Sequence, residues 1–395
     1  MYGGAWLDLA HYSVPANTAV YFASNESFTN AELLADRGIG SKQVFDAVIT
    51  GFGNSGLVST AYYFGTADRR LVPDGGSTIG YAVRSAVIKG SIANFDTALN
   101  LAEIWSSNFS VGIVGCRVQC SIVGQSVNNT FDEGCQWGGN TLDNTSSTDP
   151  MLGVYIFSFA GYGPLETTLR RPEGLTFSQC LIAEADTGIS ALNALFVTFD
   201  DCIIDLHNDQ ALVATTVPGL IVSNSYLASK GATWTVEFSA APSSLDTNDT
   251  ITNCTIVNLD PTLAQGAVRG FNRRGLELLG NTMSGYKAAI IVDLDNMFTS
   301  NATGNKFRFG EDVFTAQQCI KLSSCREVDV DKNKSYTGNK IIDVSGTNLG
   351  CNIGHNTSSF TDLDPLAAPV VVMETYQVGE VTVLNGTSSI AQALT

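Results

Sequence analysis

The fold of this chain is decided by a phrase that recurs from residue 175 onward. Leu175–Ile182 reads LTFSQCLI, Val197–Ile204 reads VTFDDCII, and Leu220–Leu227 reads LIVSNSYL. Each phrase carries an amide or acidic residue, the anchor, and the anchors recur at intervals of 22 to 29 residues. The anchors are Gln179, Asp201, Asn224, Asn253, Asn281, Asn305, Asn333 and Asn356. A repeat of this length with alternating, β-branched phrases predicts a solenoid of short strands rather than stacked helical pairs.

Two columns of apolar residues predict the buried interior of that solenoid. Two residues before the anchors stand Phe177, Phe199, Val222, Ile251 and Leu279. Three residues after them stand Ile182, Ile204, Leu227 and Ile256. The columns are lost later, at Thr303, Asp331, Ser284 and Arg308. One coil cannot bury its own inner face, but coils whose strands pair in parallel about 4.8 Å apart form a continuous core. Asn at the repeated turn tolerates the left-handed conformation and predicts an amide ladder along the stack.

Composition excludes several classes of protein. The 395 residues carry 38 acidic and 21 basic side chains, a net charge of −17, which argues against a nucleic-acid partner. With 44% hydrophobic residues the chain can build a large core and is not a disordered acidic tail. Residues 1–21 contain no Lys or Arg and no apolar run is long enough to span a bilayer. We therefore expect neither a secretory signal nor membrane insertion.

The cysteines are predicted to be buried free thiols. There are nine of them, an odd number, in a chain long enough not to need disulfides. Their spacing does not match a zinc site, and the chain has only three histidines. We predict no structural metal and no cofactor. An ion held by Asp200, Asp201, Asp205 and Asp209 is the less favoured alternative.

The repeated phrases and their Asn column resemble the right-handed parallel β-helix of the pectate-lyase-like superfamily, and within it the tailspike proteins of bacteriophages. The resemblance covers residues 175–357 and contains no catalytic motif. It implies an all-β, right-handed parallel β-helix, a polysaccharide that is bound or cleaved, and a homotrimer. We expect an N-terminal cap or attachment region (1–60) with a short capping helix at Asn30–Gly38. The β-helix would occupy 61–357, most regularly 175–357, and residues 358–395 would form a C-terminal β cap or trimerisation segment.

Residues four to seven places past the anchors predict a site, because a parallel solenoid brings equivalent positions into rows. Glycoside hydrolysis needs two carboxyl groups on either side of the scissile bond. We predict Asp186 and Asp205 as the catalytic pair, with Glu184, His207 and Lys230 binding the sugar. The alternative is that these acids are solvated surface residues of an acidic protein and have no catalytic role.

An aromatic segment next to this row predicts further substrate contacts. Trp234 and Glu237 lie in a lengthened coil, where an exposed indole beside a carboxylate would form a sugar platform. The alternative for Trp234 and Phe238 is core packing on alternate positions of a strand. Trp137 is a second platform candidate.

These observations favour a bacteriophage tailspike-like protein that binds a bacterial surface polysaccharide and, as a glycoside hydrolase-type depolymerase, hydrolyses it. Two alternatives are a non-enzymatic structural or adhesive virion spike and a polysaccharide lyase. The base of a lyase would come from Lys230, Arg269, Arg273 or Lys287. The expected partners are the polysaccharide, two further copies of the chain and other virion tail proteins. The expected location is the virion tail, assembled in the host cytoplasm and acting outside the cell. The negative charge favours a neutral or weakly acidic glycan, unless Lys230, Arg269 and Lys287 form a positive strip.

Overall fold

The structure is a computed structural model. It describes residues 18–22, 28–29, 44–51, 60–64, 78–79, 83–102, 104–124, 126–138, 150–158, 171–239, 248–260, 265–310, 318–336, 340–358 and 372–373. The predicted capping helix at 30–38 lies outside these residues, as does the predicted C-terminal cap apart from Ser358, Val372 and Met373. Within the described ranges, no helical segment has the length and apolarity of a membrane span.

The chain forms two compact units, Met1–Ile203 and Ile204–Thr395. The strands of the first unit are β1 (Thr18–Phe22), β2 (Phe28–Thr29), β3 (Val44–Thr50), β4 (Thr60–Phe64), β5 (Thr78–Ile79), β6 (Val83–Arg84), β7 (Val87–Ala93), β8 (Thr97–Ala102), β9 (Ile104–Trp105), β10 (Asn108–Val114), β11 (Val118–Val123), β12 (Thr130–Phe131), β13 (Gln136–Gly138), β14 (Leu152–Phe157), β15 (Glu173–Ser178), β16 (Leu181–Ala183), β17 (Thr187–Leu192) and β18 (Leu195–Asp200). Strand β19 (Ile203–His207) begins at the boundary. The remaining strands are β20 (Gln210–Thr215), β21 (Ile221–Ser223), β22 (Tyr226–Ser229), β23 (Val236–Ser239), β24 (Thr250–Thr252), β25 (Thr255–Asn258), β26 (Val268–Phe271), β27 (Glu277–Leu279), β28 (Thr282–Gly285), β29 (Ile290–Asp295), β30 (Asn301–Thr303), β31 (Lys306–Phe309), β32 (Gln318–Ser323), β33 (Asp329–Asp331), β34 (Lys334–Ser335), β35 (Lys340–Ser345), β36 (Asn352–Ile353), β37 (Thr357–Ser358) and β38 (Val372–Met373).

The first unit is a stack of parallel coils. Its long sheet contains β1, β4, β8, β11, β14 and β17 in that order, and every neighbouring pair is parallel. In its second wall β3, β7 and β10 pair in parallel, and β10 then pairs with both β12 and β13. Strands β15 and β18 continue from β12, and β16 continues from β13. Since each strand pairs with its counterpart in the next coil, the predicted parallel β-helix is confirmed.

The second unit repeats this architecture. Its long sheet contains β20, β23, β26, β29, β32, β35 and β38, all parallel. Its second wall consists of two parallel ladders, one running from β21 through β24, β27, β30 and β33 to β36. The other runs from β22 through β25, β28, β31 and β34 to β37.

A stack of phenylalanines fills the core of the first unit. Phe109, Phe131, Phe177 and Phe199 are fully buried and occupy one register position in successive coils. Their ring centroids are 4.6, 4.3 and 4.7 Å apart, and the rings are nearly parallel. Each stacked pair contributes about 0.5–1.5 kcal/mol beyond the burial of its area. The predicted column through Phe177 and Phe199 is therefore confirmed.

An amide ladder runs through the second unit, as the sequence predicts. Asn281, Asn305, Asn333 and Asn356 stand in successive coils, and each Oδ1 accepts the backbone N–H of the equivalent residue one coil before, at 2.9–3.1 Å. Each Nδ2 donates to a backbone carbonyl of that preceding coil, at 2.8–3.0 Å. The ladder thus satisfies buried backbone groups that the strands leave unpaired.

The predicted alignment of the anchors is wrong by one residue in the later coils. Ile251 pairs with Leu278, so the left-handed turn residue Asn253 (φ 55°) is followed in the next coil by Gly280 (φ 66°) and not by Asn281. Asn281 stands one place later, level with buried Cys254, whose N–H it accepts. The inner columns therefore continue where the sequence alignment lost them. They run through Leu278, Ala302, Val330 and Ile353 and through Met283, Phe307 and Ser335.

A fully buried ion pair crosses the core of the second unit. The Arg273 guanidinium donates to the Asp249 carboxylate, and neither side chain is exposed. Arg273 also donates to the carbonyl of Ser239 at 3.3 Å and lies 5.7 Å from the Phe238 ring. The second Asp249 oxygen accepts the N–H of Leu220 at 3.0 Å. Burial lowers the pKa of Arg273, and the charge of Asp249 opposes that shift.

All nine cysteines are free and buried, which confirms the prediction. Burial raises the pKa of Cys319 to about 12, because the thiolate would lose its hydration. Cys202 illustrates the packing role, since its thiol donates to the carbonyl of Phe177 at 3.5 Å. These thiols fill small positions between coils.

Candidate functional site

Of the predicted residues in the first unit, Asp186 is tied to the backbone. The Asp186 Oδ2 accepts the N–H of Met151 at 2.8 Å, and the Asp186 N–H donates to the Met151 carbonyl at 2.9 Å. Glu184 is half-buried and has a left-handed backbone (φ 59°). Its carboxylate lies next to Gly138, where an added Cβ would be 3.8 Å from Oε2. One oxygen of Asp186 therefore holds the segment at Met151 in place.

The predicted site residues Asp205 and Lys230 lie in the second unit. The Asp205 Oδ1 accepts the N–H of Leu206 at 2.6 Å. Burial raises the pKa of Tyr226, and the charge of Asp205 adds to that shift. Lys230 is exposed, and its N–H donates to the carbonyl of His207 at 2.8 Å. Because Asp186 and Asp205 belong to different units, their pairing stays a prediction.

Three predicted sugar contacts are wrong because the side chains are in the core. His207 is 0% exposed, so its imidazole cannot reach a ligand at the surface. Trp234 is 4% exposed and precedes β23, in which Val236 and Phe238 also face the core. Trp137 is 0% exposed, and its Nε1 donates to the carbonyl of Val111 at 2.7 Å. Both tryptophans therefore pack in the core, which for Trp234 and Phe238 is the alternative that the sequence left open.

A row of alternating charges crosses the outer side of the long sheet in the second unit, and we call it the charged row. Strand register places its members directly opposite one another on β23, β26, β29, β32 and β35: Glu237, Arg269, Asp293, Lys321 and Asp343. Arg269 Nη1 lies 4.0 Å from Glu237 Oε2, and Lys321 Nζ lies 3.9 Å from Asp293 Oδ1. Glu237, which the sequence predicts to bind substrate, is therefore one member of the charged row.

A second row lies two residues further along the same strands and so on the same side of the sheet. It includes Phe271 and Asp295, which are in register on β26 and β29. The Arg269 guanidinium lies 5.3 Å from the Phe271 ring, within cation–π range. Asp293 and Asp295 are consequently two carboxyl groups on one face of one strand. The two rows together form an outer face that carries acids, cations and an aromatic ring.

The electrostatics of this face centre on Asp293. Its side chain is 14% exposed. Burial raises its pKa, the charges of Lys321 and Arg269 oppose that shift, and the charge of Asp295 adds to it. A carboxyl group whose pKa is raised by burial, next to a second carboxyl group, is an arrangement from which general acid catalysis can be built.

Sequence reasoning found Glu237 and named Arg269, but it missed Asp293, Asp295 and Lys321. A repeated pattern could have revealed them. Each copy has two apolar residues, a charged residue, an apolar residue and then a small polar or acidic residue. It reads IVDLD at 291–295, CIKLS at 319–323 and IIDVS at 341–345. Among the residues that the structure describes, no group of three or more His, Cys, Asp or Glu is arranged to hold a metal ion.

Arg273, a base candidate for the lyase alternative, is not available for chemistry. It is 1% exposed and held in the buried pair with Asp249. Lys287 is half-buried in the segment between β28 and β29, with its Nζ 5.9 Å from the Tyr286 ring. Arg269 lies on β26 of the long sheet, 4.0 Å from Glu237, whereas Lys230 follows β22 and Lys287 follows β28 of the second wall, so the predicted positive strip stays a prediction.

No protein-family model matches this sequence, and no curated protein matches it. Among solved structures, the Dettilon tailspike protein gp208 is 14% identical with a TM-score of 0.40 over 69% of this chain and 60% of that chain. A mutant of the periplasmic alginate epimerase AlgG is 9% identical with a TM-score of 0.46 over 97% and 99%. PfbA, a surface adhesin of Streptococcus pneumoniae, is 12% identical with a TM-score of 0.48 over 81% and 79%. The chain therefore spans 60% of the length of the Dettilon tailspike protein.

Proposed function

We propose that this chain is a tailspike-like protein of a virion, which binds a bacterial surface polysaccharide as a homotrimer and hydrolyses it. The observation that carries the proposal is the in-register charged row with its neighbouring acids. We assign substrate binding and hydrolysis to the outer face of the long sheet in the second unit. The sequence-predicted pair Asp186 and Asp205 is the competing assignment.

The geometry of the outer face suits a linear polymer of hydroxyl-rich units. Successive coils offer a carboxylate or a cation about every 4.8 Å, the ordinary distance between strands. Carboxylates accept and cations donate hydrogen bonds, so a row of both can bind hydroxyl groups along an extended chain. Phe271 adds an apolar surface on which the face of a sugar ring can lie.

Asp293 and Asp295 supply the two carboxyl groups of a hydrolase. Their Cα atoms are about 6.6–6.8 Å apart, since a strand rises about 3.3–3.4 Å per residue. The carboxyl groups of glycosidases are about 5–5.5 Å apart in retaining enzymes and roughly 6.5–9.5 Å apart in inverting ones, so two side chains on one face of one strand can flank a glycosidic bond. Asp293, with its raised pKa, protonates the leaving oxygen, while Asp295 activates a water molecule. We therefore expect inversion at the anomeric carbon.

The test is product analysis on purified capsular and O-antigen polysaccharides. Asp293→Asn and Asp295→Asn should each reduce turnover by about 100-fold or more, the usual contribution of a general acid or base. Asp329→Asn, which removes an exposed carboxylate from β33, should leave turnover unchanged. If Asp186→Asn or Asp205→Asn abolishes turnover while Asp293→Asn does not, the competing assignment is correct.

The second candidate is a spike that binds the glycan without cleaving it. It is favoured by the ion pairs within the charged row and by the backbone hydrogen bonds of Asp186 and Asp205. Binding without product from any tested polysaccharide would identify it. A lyase would instead release products with an unsaturated, ultraviolet-absorbing end. Light scattering coupled to size exclusion tests the trimer separately.

A further inference from the structure

A cluster of three cations lies on the second wall of the second unit. Lys306 and Arg308 point outward from β31, because they alternate with the buried Phe307 and Phe309. Lys334 on β34 is in register with Lys306, so two ammonium-bearing side chains stand directly opposite each other. Among the described residues, no carboxylate lies within ion-pair distance of Lys306, Arg308 or Lys334. We call these three residues the basic strip.

Like charges directly opposite each other in a sheet are destabilising, which makes this arrangement informative. On either side of the strip the register continues with hydroxyl residues, Thr282 before Lys306 and Thr357 after Lys334. The charged row of the same unit does the opposite and alternates each cation with an acid. The chain has a net charge of −17, yet none of its acidic residues stands in register with Lys306 or Lys334 on the neighbouring described strands. An external anion would relieve the repulsion.

Aromatic rings lie among these cations. The Tyr336 ring is 4.9 Å from the Arg308 guanidinium and 4.8 Å from the Lys334 ammonium. On the other side of β31, the Tyr286 ring packs against Gly310, where a Cβ would lie 2.5 Å from Cδ2. Tyr286 is 37% exposed. An anion carried on a sugar ring fits this combination better than a free inorganic ion, because the exposed Tyr286 ring offers a surface on which a sugar can stack while Tyr336 holds the cations.

We propose that the basic strip binds the acidic groups of a glycan, either uronate carboxylates or sulfate esters. The inference rests on the proposed function in taking a polysaccharide as the ligand. It adds a binding site on the second wall, separate from the strands of the charged row, and it makes the glycan anionic at that site. Its residues differ from those of the predicted strip of Lys230, Arg269 and Lys287.

The experiment measures binding of the full chain to polygalacturonate, to its methyl ester, to dextran sulfate and to dextran. The polyuronate or the sulfated polymer should bind, with affinity that falls as salt rises, and its neutral counterpart should bind at least tenfold more weakly. The preference between the two anions identifies carboxylate or sulfate as the ligand group. Equal binding of charged and neutral polymers, or none of the charged ones, overturns the proposal.

Variants locate the site. The triple variant Lys306→Gln, Arg308→Gln and Lys334→Gln should lose about tenfold or more in affinity, since each charge-assisted hydrogen bond is strong. The control removes the same charge from exposed positions of the same unit outside β31 and β34, with the substitutions Arg274→Gln, Arg326→Gln and Lys332→Gln. Equal losses in both variants would overturn the assignment to the strip. Turnover in Asp293→Asn is a separate readout from binding. The proposed hydrolysis can therefore fail while the basic strip still binds the polymer, and binding can fail while hydrolysis is confirmed.

Discussion

The amide ladder leads to a prediction in which the structure supplies the magnitude. Asn305 is 1% exposed, and its side chain makes four hydrogen bonds. Its Oδ1 accepts from the backbone N–H and the side chain of Asn281, at 3.0 and 3.1 Å. Its Nδ2 donates to the Leu278 carbonyl at 2.9 Å and to Asn333 Oδ1 at 3.0 Å. Replacing Asn305 by Ala removes all four.

The cost follows from which partners can find another bond. The Asn281 amide still donates to the carbonyl of Ile251, and Asn333 Oδ1 still accepts the Asn305 N–H. The Asn281 N–H and the Leu278 carbonyl are left buried without their side-chain partner. A buried polar group without a partner costs about 1–3 kcal/mol, so Asn305→Ala should destabilise the second unit by about 2–6 kcal/mol.

The chain itself supplies the controls. Cys254 occupies the equivalent position earlier in the stack, and its thiol donates to the Val222 carbonyl at 3.5 Å. Asn305→Cys should therefore retain a donor for the Leu278 carbonyl and cost less than Asn305→Ala. Asn356, at the end of the ladder, is only half-buried, so water can reach the groups that Asn356→Ala exposes. We expect a loss of about 1 kcal/mol there.

Urea unfolding followed by circular dichroism measures the free energies, and hydrogen exchange of the Asn281 N–H gives a local readout. The expected order of stability loss is Asn305→Ala, then Asn305→Cys, then Asn356→Ala. The reasoning is refuted if Asn305→Ala stays within about 1 kcal/mol of the wild type. It is also refuted if exchange of the Asn281 N–H is unchanged in that variant.

Other predictions concern the remaining core and the site. Phe177→Ala should cost about 3–5 kcal/mol in urea unfolding, because the stacked ring leaves a cavity, and a cost below about 1 kcal/mol would contradict the aromatic stack. Arg273→Met should cost about 3–5 kcal/mol, since it strands a buried carboxylate, and a double-mutant cycle with Asp249→Leu should recover part of that loss. Burial raises the folded-state pKa of Asp293, so its favourable contribution is complete below the unfolded pKa of about 3.9 and is lost as pH rises through the folded value. The stability of Asp293→Asn relative to wild type should therefore increase with pH above about 4, and a flat difference would contradict the raised pKa. Cys319 and the other thiols should not react with a thiol reagent at pH 8 until the protein is unfolded.

The repeat predicted the class of fold because burial in a solenoid depends on short-range alternation. Phe177 and Phe199 precede their anchors by the same number of residues, and both are fully buried in one stack. The buried thiols and the existence of an amide ladder could be predicted from the same phrases. These are properties of residues that contact their equivalents in the next coil.

The exact turn residue could not be predicted, because asparagine suits two neighbouring positions. Asn253 takes the left-handed turn, while Asn281 is a buried rung of the ladder one place later. Only the pairing of Ile251 with Leu278 distinguishes the two positions. Glycine at 280 then takes the left-handed conformation, which it adopts without steric cost.

The sequence by itself determined that stacked, parallel coils would bury apolar columns, since that information repeats within each phrase. Which outward side chains meet was decided by the tertiary structure. Asp293 faces Arg269 and Lys321 because strand register aligns them, although unequal loops separate them along the chain. Trp234 and His207 entered the core for the same reason, as their orientation depends on the strand they join. Contacts across coils are set by register, and a shift of one residue moves a side chain to the opposite face of the sheet.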